Sequence, residues 1–177
     1  MMNLEVTSLK HLNYLAFDYG SSSVKVKIAS FDGKKIKVKN IHGFENNPVQ
    51  AGKYLQWDIL RLYHELCSSI RKAFIRYSSI ESVGVDAWGG DFGVIDKKGY
   101  LIGNPVHYRN FHCEKSEEIF KSLYSVIPKI EIFKLTGIQF LIPGCNLYQM
   151  HYLILSKSEV FTLAYKCLMI PDLLNYF

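Results

Sequence analysis

Two short stretches of the sequence combine acidic, hydroxyl and glycine residues in a spacing that suits ligand chemistry. The first is Phe17-Asp18-Tyr19-Gly20-Ser21-Ser22-Ser23, where an aspartate at the end of an apolar run precedes a glycine and three serines. Glycine lets the backbone approach a ligand closely, and backbone N–H groups and hydroxyls can donate to one anion. The aspartate offers oxygen ligands, which Mg²⁺ prefers. An ordinary hairpin turn has a similar composition, so both interpretations stay open for this stretch alone.

The second stretch is Gly84-Val85-Asp86-Ala87-Trp88-Gly89-Gly90-Asp91-Phe92-Gly93. In it, one aspartate precedes and one follows a tryptophan and two glycines. Carboxylates accept hydrogen bonds from sugar hydroxyls, an indole packs on the apolar face of a sugar ring, and glycine leaves the backbone open. A turn beside a core tryptophan would contain the same residues. The stretch is therefore compatible with a sugar site without requiring one.

A basic cluster is the third candidate for function, and its pattern favours a solvated strand surface. The cluster consists of Lys25, Lys27, Lys34, Lys35, Lys37 and Lys39. Lysines on an exposed sheet face discourage edge-to-edge pairing. No aromatic residues interleave with them, as a nucleic-acid surface would require. The net charge of +5 and the pI of about 8.9 are also mild for a nucleic-acid binder.

The composition predicts one globular domain in a reducing compartment. The 177 residues are 49% hydrophobic and 21% charged, which is enough apolar material for a sizeable core. The sequence has neither a signal-peptide pattern nor an apolar run long enough to span a bilayer, so we expect a cytoplasmic protein without membrane association. The cysteines are widely spaced, with no Cys-x-x-Cys pair: Cys67, Cys113, Cys145 and Cys167.

A metal site is the weaker alternative for three residues in the middle of the chain. His107, His112 and Cys113 lie close together in sequence. A fourth ligand at a standard spacing is missing. The pattern therefore favours loop and core residues.

The elements that must position these residues begin with an antiparallel meander. Strands are predicted over 12–17, 24–28 and 36–38, because apolar residues alternate with lysines in the last two. Asp32-Gly33 predicts the hairpin turn between them. A helix capped by Asp58 follows, with apolar residues at three- and four-residue steps from Ile59 to Phe74.

The remaining chain predicts a mixture of short strands and helices. Strands are expected over 82–86 and 91–96, and residues 100–102 are expected to pair back onto the second. Helices are predicted over 114–127, up to Thr136 with a stop at Gly137, over 146–155, over 159–165 and from Pro171 onward. The last five residues are apolar and helical in pattern, which predicts that the sequence is cut off rather than finished.

Seven segments, in order, resemble one enzyme family. Phe17-Asp18-Tyr19-Gly20-Ser21-Ser22-Ser23 is similar to the first phosphate loop of the actin-like ATPases, in the version found in FGGY carbohydrate kinases. The other segments are similar to the rhamnulokinases of that family. They are Tyr54–Ile59, Gly84–Gly93, Asn104–Arg109, Thr136–Phe140, Leu147–Gln149 and Met169–Asp172.

The resemblance implies an α/β fold of the actin/hexokinase-like (ribonuclease H-like) type. Its mixed sheet begins with the antiparallel three-strand meander and is flanked by helices. Residues 1–177 would be the N-terminal domain, incomplete and without the second domain. ATP and Mg²⁺ are the implied cofactors, and a sugar is the implied substrate. The number of subunits stays open.

The resemblance also assigns residues. The ATP phosphates are expected near Gly20, Ser21, Ser22, Ser23, Val24 and Lys25, where rhamnulokinases usually have Gly-Arg in place of the last two. Asp18 is expected beside Mg²⁺ and the transferred phosphoryl group. The sugar site is expected to include Gly89, Asp91, Tyr108 and Arg109.

The activity implied for an intact enzyme is ATP + L-rhamnulose → ADP + L-rhamnulose 1-phosphate. In the family, the aspartate that accepts the hydroxyl proton and the adenosine-binding motifs belong to the region after Phe177. We therefore expect the 177 residues alone to be inactive. Two alternatives stay open: a family member for another ketose or deoxysugar, and a truncated, non-catalytic ligand-binding protein.

Overall fold

The computed structural model describes residues 12–111, 115–139 and 141–177. Its contacts divide the chain into two compact units. The first unit contains the residues up to Asn46 together with Leu60–Ala87, and the second contains Asn47–Ile59 and Trp88–Phe177.

The described residues form eight strands, six α-helices and one short 3-10 helix. The strands are β1 (Leu12–Tyr19), β2 (Ser23–Phe31), β3 (Ile36–Glu45), β4 (Val49–Ala51), β5 (Tyr54–Gln56), β6 (Ser82–Ala87), β7 (Phe92–Ile95) and β8 (Lys166–Met169). The α-helices are α1 (Ile59–Arg76), α2 (Ser116–Val126), α3 (Lys129–Thr136), α4 (Asn146–Leu155), α5 (Glu159–Leu163) and α6 (Ile170–Tyr176), and the 3-10 helix is Tyr108–Phe111.

A four-stranded mixed sheet in the order β3-β2-β1-β6 organises the first unit. The antiparallel meander β1-β2-β3 predicted from the sequence is confirmed. Its second hairpin turns at Asp32-Gly33, where the Asp32 carboxylate accepts hydrogen bonds from the backbone N–H groups of Lys34 and Lys35 at 2.9 and 2.7 Å. Gly33 has φ 91°, a conformation that glycine adopts without steric cost.

Period-two alternation buries one face of this sheet under α1. Leu15, Phe17 and Tyr19 of β1 are buried, whereas Ala16 and Asp18 between them are exposed. The Tyr19 hydroxyl donates to the carbonyl oxygen of Leu62 in α1 at 3.1 Å. Burial also raises the pKa of Tyr19 above its usual value near 10, so this hydroxyl stays protonated and remains a donor.

The crossover through α1 places β6 parallel to β1. In this register Phe17 is opposite Val85 and Asp18 is opposite Asp86. Parallel neighbours point their carboxyl ends to the same edge of the sheet. The two aspartates therefore lie side by side at that edge, on the face opposite to α1.

The second unit contains two small sheets and most of the helices. β4 pairs with β5, and β7 pairs with β8, both antiparallel. α6 packs against β7 so closely that a Cβ atom at Gly93 would lie 2.5 Å from Cδ2 of Leu173. A further cluster of buried side chains joins α2 to α4 through Ile119 and Tyr148.

Several predicted elements differ from the observed ones in this unit. The helix predicted over 159–165 ends at Leu163, because the chain then extends and the Tyr165 N–H donates to the carbonyl oxygen of Ile95. Strands β4, β5 and β8 were not predicted. Residues 100–102 do pair back as expected, through a single bridge between Leu101 and Ile95.

Some expectations concern residues outside the described ranges. His112, Cys113 and Glu114 lie there, and so does Phe140. Cys67, Cys145 and Cys167 are free thiols. Within the described ranges, no helix has both the length and the apolar character needed to cross a bilayer.

Candidate functional site

The serine loop, residues 20–23, connects β1 to β2 and is closed by its own backbone. The N–H of Gly20 donates to the carbonyl oxygen of Ser23 at 2.9 Å. A Cβ atom at position 20 would lie 2.9 Å from the same oxygen, a distance that real Cβ atoms essentially never show. Glycine is therefore required here by close approach.

The loop presents donors that its own fold does not use. The side chains of Ser21, Ser22 and Ser23 are exposed. Within the described residues, the backbone N–H groups of Ser21 and Ser22 donate to no acceptor. Hydroxyls and unpaired N–H groups in one turn form an anion-binding concavity, so the geometry fits phosphate oxygens.

The two residues after the serines differ in what they can offer to a ligand. Val24 lies in β2 with its side chain 1% exposed, so only its backbone can face a ligand. Lys25 is exposed and lies opposite Asp18 in the β1–β2 register. Valine causes no strain at this position, because extended backbone suits a β-branched residue.

Asn46 supports the serine loop from the end of β3, a role that no pattern in the sequence had indicated. Its side chain donates to the carbonyl oxygen of Gly20 at 2.8 Å, and its backbone N–H donates to that of Ser22 at 3.0 Å. Asn46 is buried. The two bonds occupy the carbonyl oxygens of Gly20 and Ser22 and hold the loop against the end of β3.

Asp18 presents an open carboxylate two residues before this loop. Its carboxylate is exposed, and neither Asp18 nor the neighbouring Asp86 has a hydrogen-bond or ion-pair partner in the described part of the chain. Open carboxylate oxygens suit Mg²⁺, a hard cation with oxygen ligands. The first unit thus brings together every residue that was predicted for the phosphates and the metal.

The tryptophan turn, residues 88–91, belongs to the second unit and is built around a buried carboxylate. Oδ2 of Asp91 accepts hydrogen bonds from the indole N–H of Trp57 at 2.6 Å and from that of Trp88 at 3.0 Å. Oδ1 accepts one from the Gln149 amide at 2.9 Å. Asp91 is 0% exposed, so the carboxylate lies behind the turn rather than on its surface.

The predicted sugar residues Tyr108 and Arg109 join the same unit through a column of rings. The ring centroids of Trp57 and Trp88 are 4.2 Å apart, those of Trp57 and His107 are 4.5 Å apart, and those of His107 and Tyr108 are 4.3 Å apart. The guanidinium of Arg109 lies 5.8 Å from the Tyr108 ring, within cation–π range. Arg109 is exposed at the end of this column.

Backbone pairing brings Trp57 and His107 together. The Trp57 N–H donates to the carbonyl oxygen of Pro105, and the His107 N–H donates to that of Leu55. Asn110 extends this pairing, because its side chain both donates to and accepts from the backbone of Leu55. The 3-10 helix that carries Tyr108 and Arg109 is thereby fixed to β5.

His107 is neutral in this setting. Burial lowers its pKa below the usual value near 6.5, and the nearby Arg109 cation lowers it further, against an opposing effect of Asp91. Its Nδ1 accepts a hydrogen bond from the Arg109 backbone N–H at 3.1 Å. The imidazole therefore carries its proton on Nε2 and acts as a spacer between two aromatic rings.

Gly89 is the open position of the tryptophan turn. A Cβ atom there would meet nothing within 4 Å among the described residues, whereas one at Gly90 would lie 3.3 Å from the carbonyl oxygen of Gly144. Gly90 also has φ 102°, a left-handed conformation. The turn thus exposes backbone at Gly89 and is packed against Gly144 at Gly90.

The turn is held in place by hydrogen bonds from Trp57 and Gln149 to Asp91. No local pattern had predicted the contribution of Trp57 or Gln149.

Comparison with known proteins relates the chain to one enzyme family. Residues 13–177 match the model of the N-terminal domain of the FGGY family of carbohydrate kinases. The chain is 32% identical over 164 residues to a rhamnulokinase of Bacteroides thetaiotaomicron, with 93% of this chain and 33% of the relative covered. It is 30% identical over 171 residues to a rhamnulokinase of Klebsiella pneumoniae, with 96% and 34% covered.

Solved structures share the fold. A xylulose kinase from Brucella ovis superposes with a TM-score of 0.71 at 15% identity, covering 92% of this chain and 33% of the other. A xylulose kinase from Rhodospirillum rubrum superposes with a TM-score of 0.68 at 12% identity, again covering 92% and 33%. These are sugar kinases of the actin/hexokinase-like fold. The chain spans about a third of the length of the curated relatives that it matches.

Proposed function

The chain belongs to the FGGY family of carbohydrate kinases, and from that premise we propose that it is the N-terminal domain of a rhamnulokinase. The reaction transfers the terminal phosphoryl group of ATP to a hydroxyl of L-rhamnulose and yields ADP and L-rhamnulose 1-phosphate. The support for this substrate is the identity of about a third with proteins named rhamnulokinase. The reaction takes place in the cytoplasm.

The observation that carries the proposal is the open set of donors at the serine loop beside an open carboxylate. Ser21, Ser22 and Ser23 donate to phosphate oxygens, through hydroxyls and through N–H groups that the fold leaves unused. Asp18 would hold Mg²⁺, directly or through water. When bound, Mg²⁺ neutralises charge on the phosphates, and positioning supplies most of the remaining catalysis of phosphoryl transfer.

The second unit supplies part of the sugar site. Gly89 presents open backbone, and Tyr108 and Arg109 present an aromatic face and a cation at the end of the ring column. The ketose hydroxyl oxygen forms the new bond to phosphorus as the bond to ADP breaks. The proton of this hydroxyl passes to an aspartate of a second domain. We propose that this domain corresponds to the part of the relatives that the chain does not span.

The test is an ADP-release assay on the full-length gene product, expressed from its own start codon to its own stop codon. L-Rhamnulose, L-fuculose, D-xylulose and glycerol are compared at matched concentrations. We expect the largest kcat/KM for L-rhamnulose. A larger kcat/KM for another sugar would make that sugar the substrate and leave the kinase proposal intact. If the protein binds sugar or nucleotide but releases no ADP with any of the four substrates, the kinase proposal is refuted.

A further inference from the structure

Asp91 is an acidic side chain in the interior of the second unit whose hydrogen-bond partners are uncharged. In the described residues it takes part in no ion pair, and its three hydrogen-bond donors are the neutral N–H groups of Trp57, Trp88 and Gln149. Burying a carboxylate is costly unless its oxygens are satisfied by well-placed donors. Such an arrangement is sensitive to loss of any member, because each donor left without an acceptor adds a desolvation penalty.

Both tryptophans of the sequence donate to this one carboxylate. Trp88 is the first residue of the tryptophan turn and Asp91 is the last. The hydrogen bond between them spans three residues and sets the curvature of the backbone that includes Gly89. Trp57 reaches the same oxygen from the end of β5, 34 positions earlier in the chain.

Gln149 completes the enclosure from α4. Its amide donates to Oδ1 of Asp91, to the carbonyl oxygen of Gly90 at 2.8 Å and to that of Gly144 at 2.6 Å. One buried side chain thus holds both the carboxylate and the backbone at the end of the turn. The contact is made at Gly90, whose φ of 102° is left-handed.

The carboxylate is also connected to the other predicted sugar residues. Trp57, which donates to it, stacks on His107, and His107 packs in a tilted arrangement against Tyr108. Rotation of the Trp57 indole would therefore displace the ring column that ends at Arg109.

We propose that Asp91 is a positioning residue that fixes Gly89 on one side and Tyr108 with Arg109 on the other, without contacting the sugar. This inference rests on the proposed function, because it concerns the same sugar site. It differs from the sequence-based expectation in which Asp91 itself lines that site. The complete burial of its side chain is the reason.

The first experiment measures kinetics of Asp91→Asn in the full-length gene product. Asparagine keeps the shape but presents an amide N–H₂ where one carboxylate oxygen had accepted hydrogen bonds. We expect the ketose KM to rise about 100-fold, as for a small misplacement of binding groups, while the ATP KM stays at the wild-type value. The matched control is Asp96→Asn, because Asp96 accepts two backbone N–H bonds in the turn after β7, away from this network.

A substrate series separates positioning from direct contact. Each singly deoxygenated ketose is assayed with wild type and Asp91→Asn, which gives a double-mutant cycle between the residue and each hydroxyl. For a positioning residue, kcat/KM falls by the same factor for every analogue. If the loss disappears for one analogue, Asp91 binds that hydroxyl directly, and the inference is overturned.

An independent readout uses the indole N–H signals of ¹⁵N-tryptophan-labelled protein. Trp57→Phe and Trp88→Phe assign the two signals, and Trp57→Phe should also show a smaller, selective rise in ketose KM. We expect Asp91→Asn to shift both signals and Asp96→Asn to shift neither. Unshifted signals in Asp91→Asn would overturn the inference. The two failures are distinguishable: absence of ketose-dependent turnover in the wild type would refute the proposed function, whereas unshifted indole signals or an unchanged ketose KM in Asp91→Asn would overturn the inference alone.

Discussion

The serine loop and the tryptophan turn both hold a few residues of backbone open to a ligand, but different contacts hold them. The loop is closed by backbone carbonyl oxygens and by Asn46 at the end of the same meander. The turn is held by side chains that come from positions 34 residues before and 58 residues after Asp91. The loop is consequently a local structure, whereas the turn depends on the packing of a whole unit.

This difference has consequences for substitution. A network of buried polar side chains loses more than one pairwise interaction when a member is removed. A loop of exposed donors loses the ligand contact of the changed residue and little else. Changes in the loop should therefore alter catalysis with little effect on folding, and changes behind the turn should alter both.

The largest effect is expected at Asp18, on the loop side of the comparison. Asp18→Asn should lower kcat of the full-length gene product by about 100- to 1,000-fold, because a preorganised electrostatic group is removed at the site of phosphoryl transfer. The melting temperature should stay near wild type, since Asp18 is exposed. Asp86→Asn changes the aspartate opposite Asp18 in the neighbouring strand. This variant should lower kcat by a smaller factor. Equal losses would contradict a specific contribution of Asp18.

The next effect is expected at Gly89, on the turn side. Gly89→Val should raise the ketose KM by about 10- to 200-fold, the range for steric discrimination in a pocket. Stability should change little, because the added side chain meets no described atom. Gly84→Val is the matched control, since a Cβ at Gly84 also meets nothing within 4 Å. A wild-type ketose KM for Gly89→Val would remove Gly89 from the sugar site.

A smaller effect is expected at Asn46. This prediction tests whether the hydrogen bonds from Asn46 stabilise the serine loop independently of the tryptophan turn. Asn46→Ala should reduce the free energy of unfolding by about 1–3 kcal/mol, the cost of leaving a buried polar group without its partner. It should also raise the ATP KM while the ketose KM stays at the wild-type value. Chemical denaturation and initial-rate kinetics measure the two effects, and the exposed Asn40→Ala serves as control. A selective rise in the ketose KM would contradict the assignment of Asn46 to the loop.

A modest effect of pH is expected at His107, in the ring column behind the turn. Because its pKa is lowered in the folded protein, the unfolded chain binds a proton that the folded chain does not. The stability contributed by the neutral ring is therefore present above the unfolded pKa, near 6.5, and falls as the pH drops below it. Unfolding curves from pH 7.5 to 5 should show a shallower acid decline for His107→Gln than for wild type. The exposed His64→Gln, in α1, is measured in parallel as the histidine control outside the ring column.

The smallest effect is expected at Ser69, which contrasts with the complete pairing around Asp91. Its hydroxyl is buried in α1 and has no hydrogen-bond partner among the residues that the structure describes. Ser69→Ala should raise the free energy of unfolding by about 1 kcal/mol, because an unsatisfied buried group is removed. Ser68→Ala, at a partly exposed position of the same helix, should change it less. A destabilised Ser69→Ala would indicate that the hydroxyl is satisfied.

The same contrast explains which features could be predicted from the sequence. The meander and α4 follow from local periodicity and turn residues, and α4 was predicted with the observed bounds. The serine loop was found because its composition is local. Strands β4, β5 and β8 have only three or four residues, too few for a period to be recognised.

The supporting residues of both sites depend on contacts that no local pattern contains. Asn46 lies 26 residues from Gly20, and its sequence context resembles any strand end. Trp57 and Gln149 fell within segments that resemble the family, but their shared partner was not visible there. Asp91 was identified from its type, yet its burial could not be predicted, because the donors that enclose it come from three segments far apart in the sequence, at positions 57, 88 and 149.

The support of the serine loop from Asn46 has a consequence for the order in which the protein forms. In the described residues, the hydrogen bonds of the loop involve only positions within the β1–β3 meander and Asn46. Contacts close in sequence form early in folding, whereas the parallel pairing of β6 must wait for a crossover helix. On the ribosome, the nascent chain therefore holds every partner that the loop's backbone needs once Asn46 has left the exit tunnel.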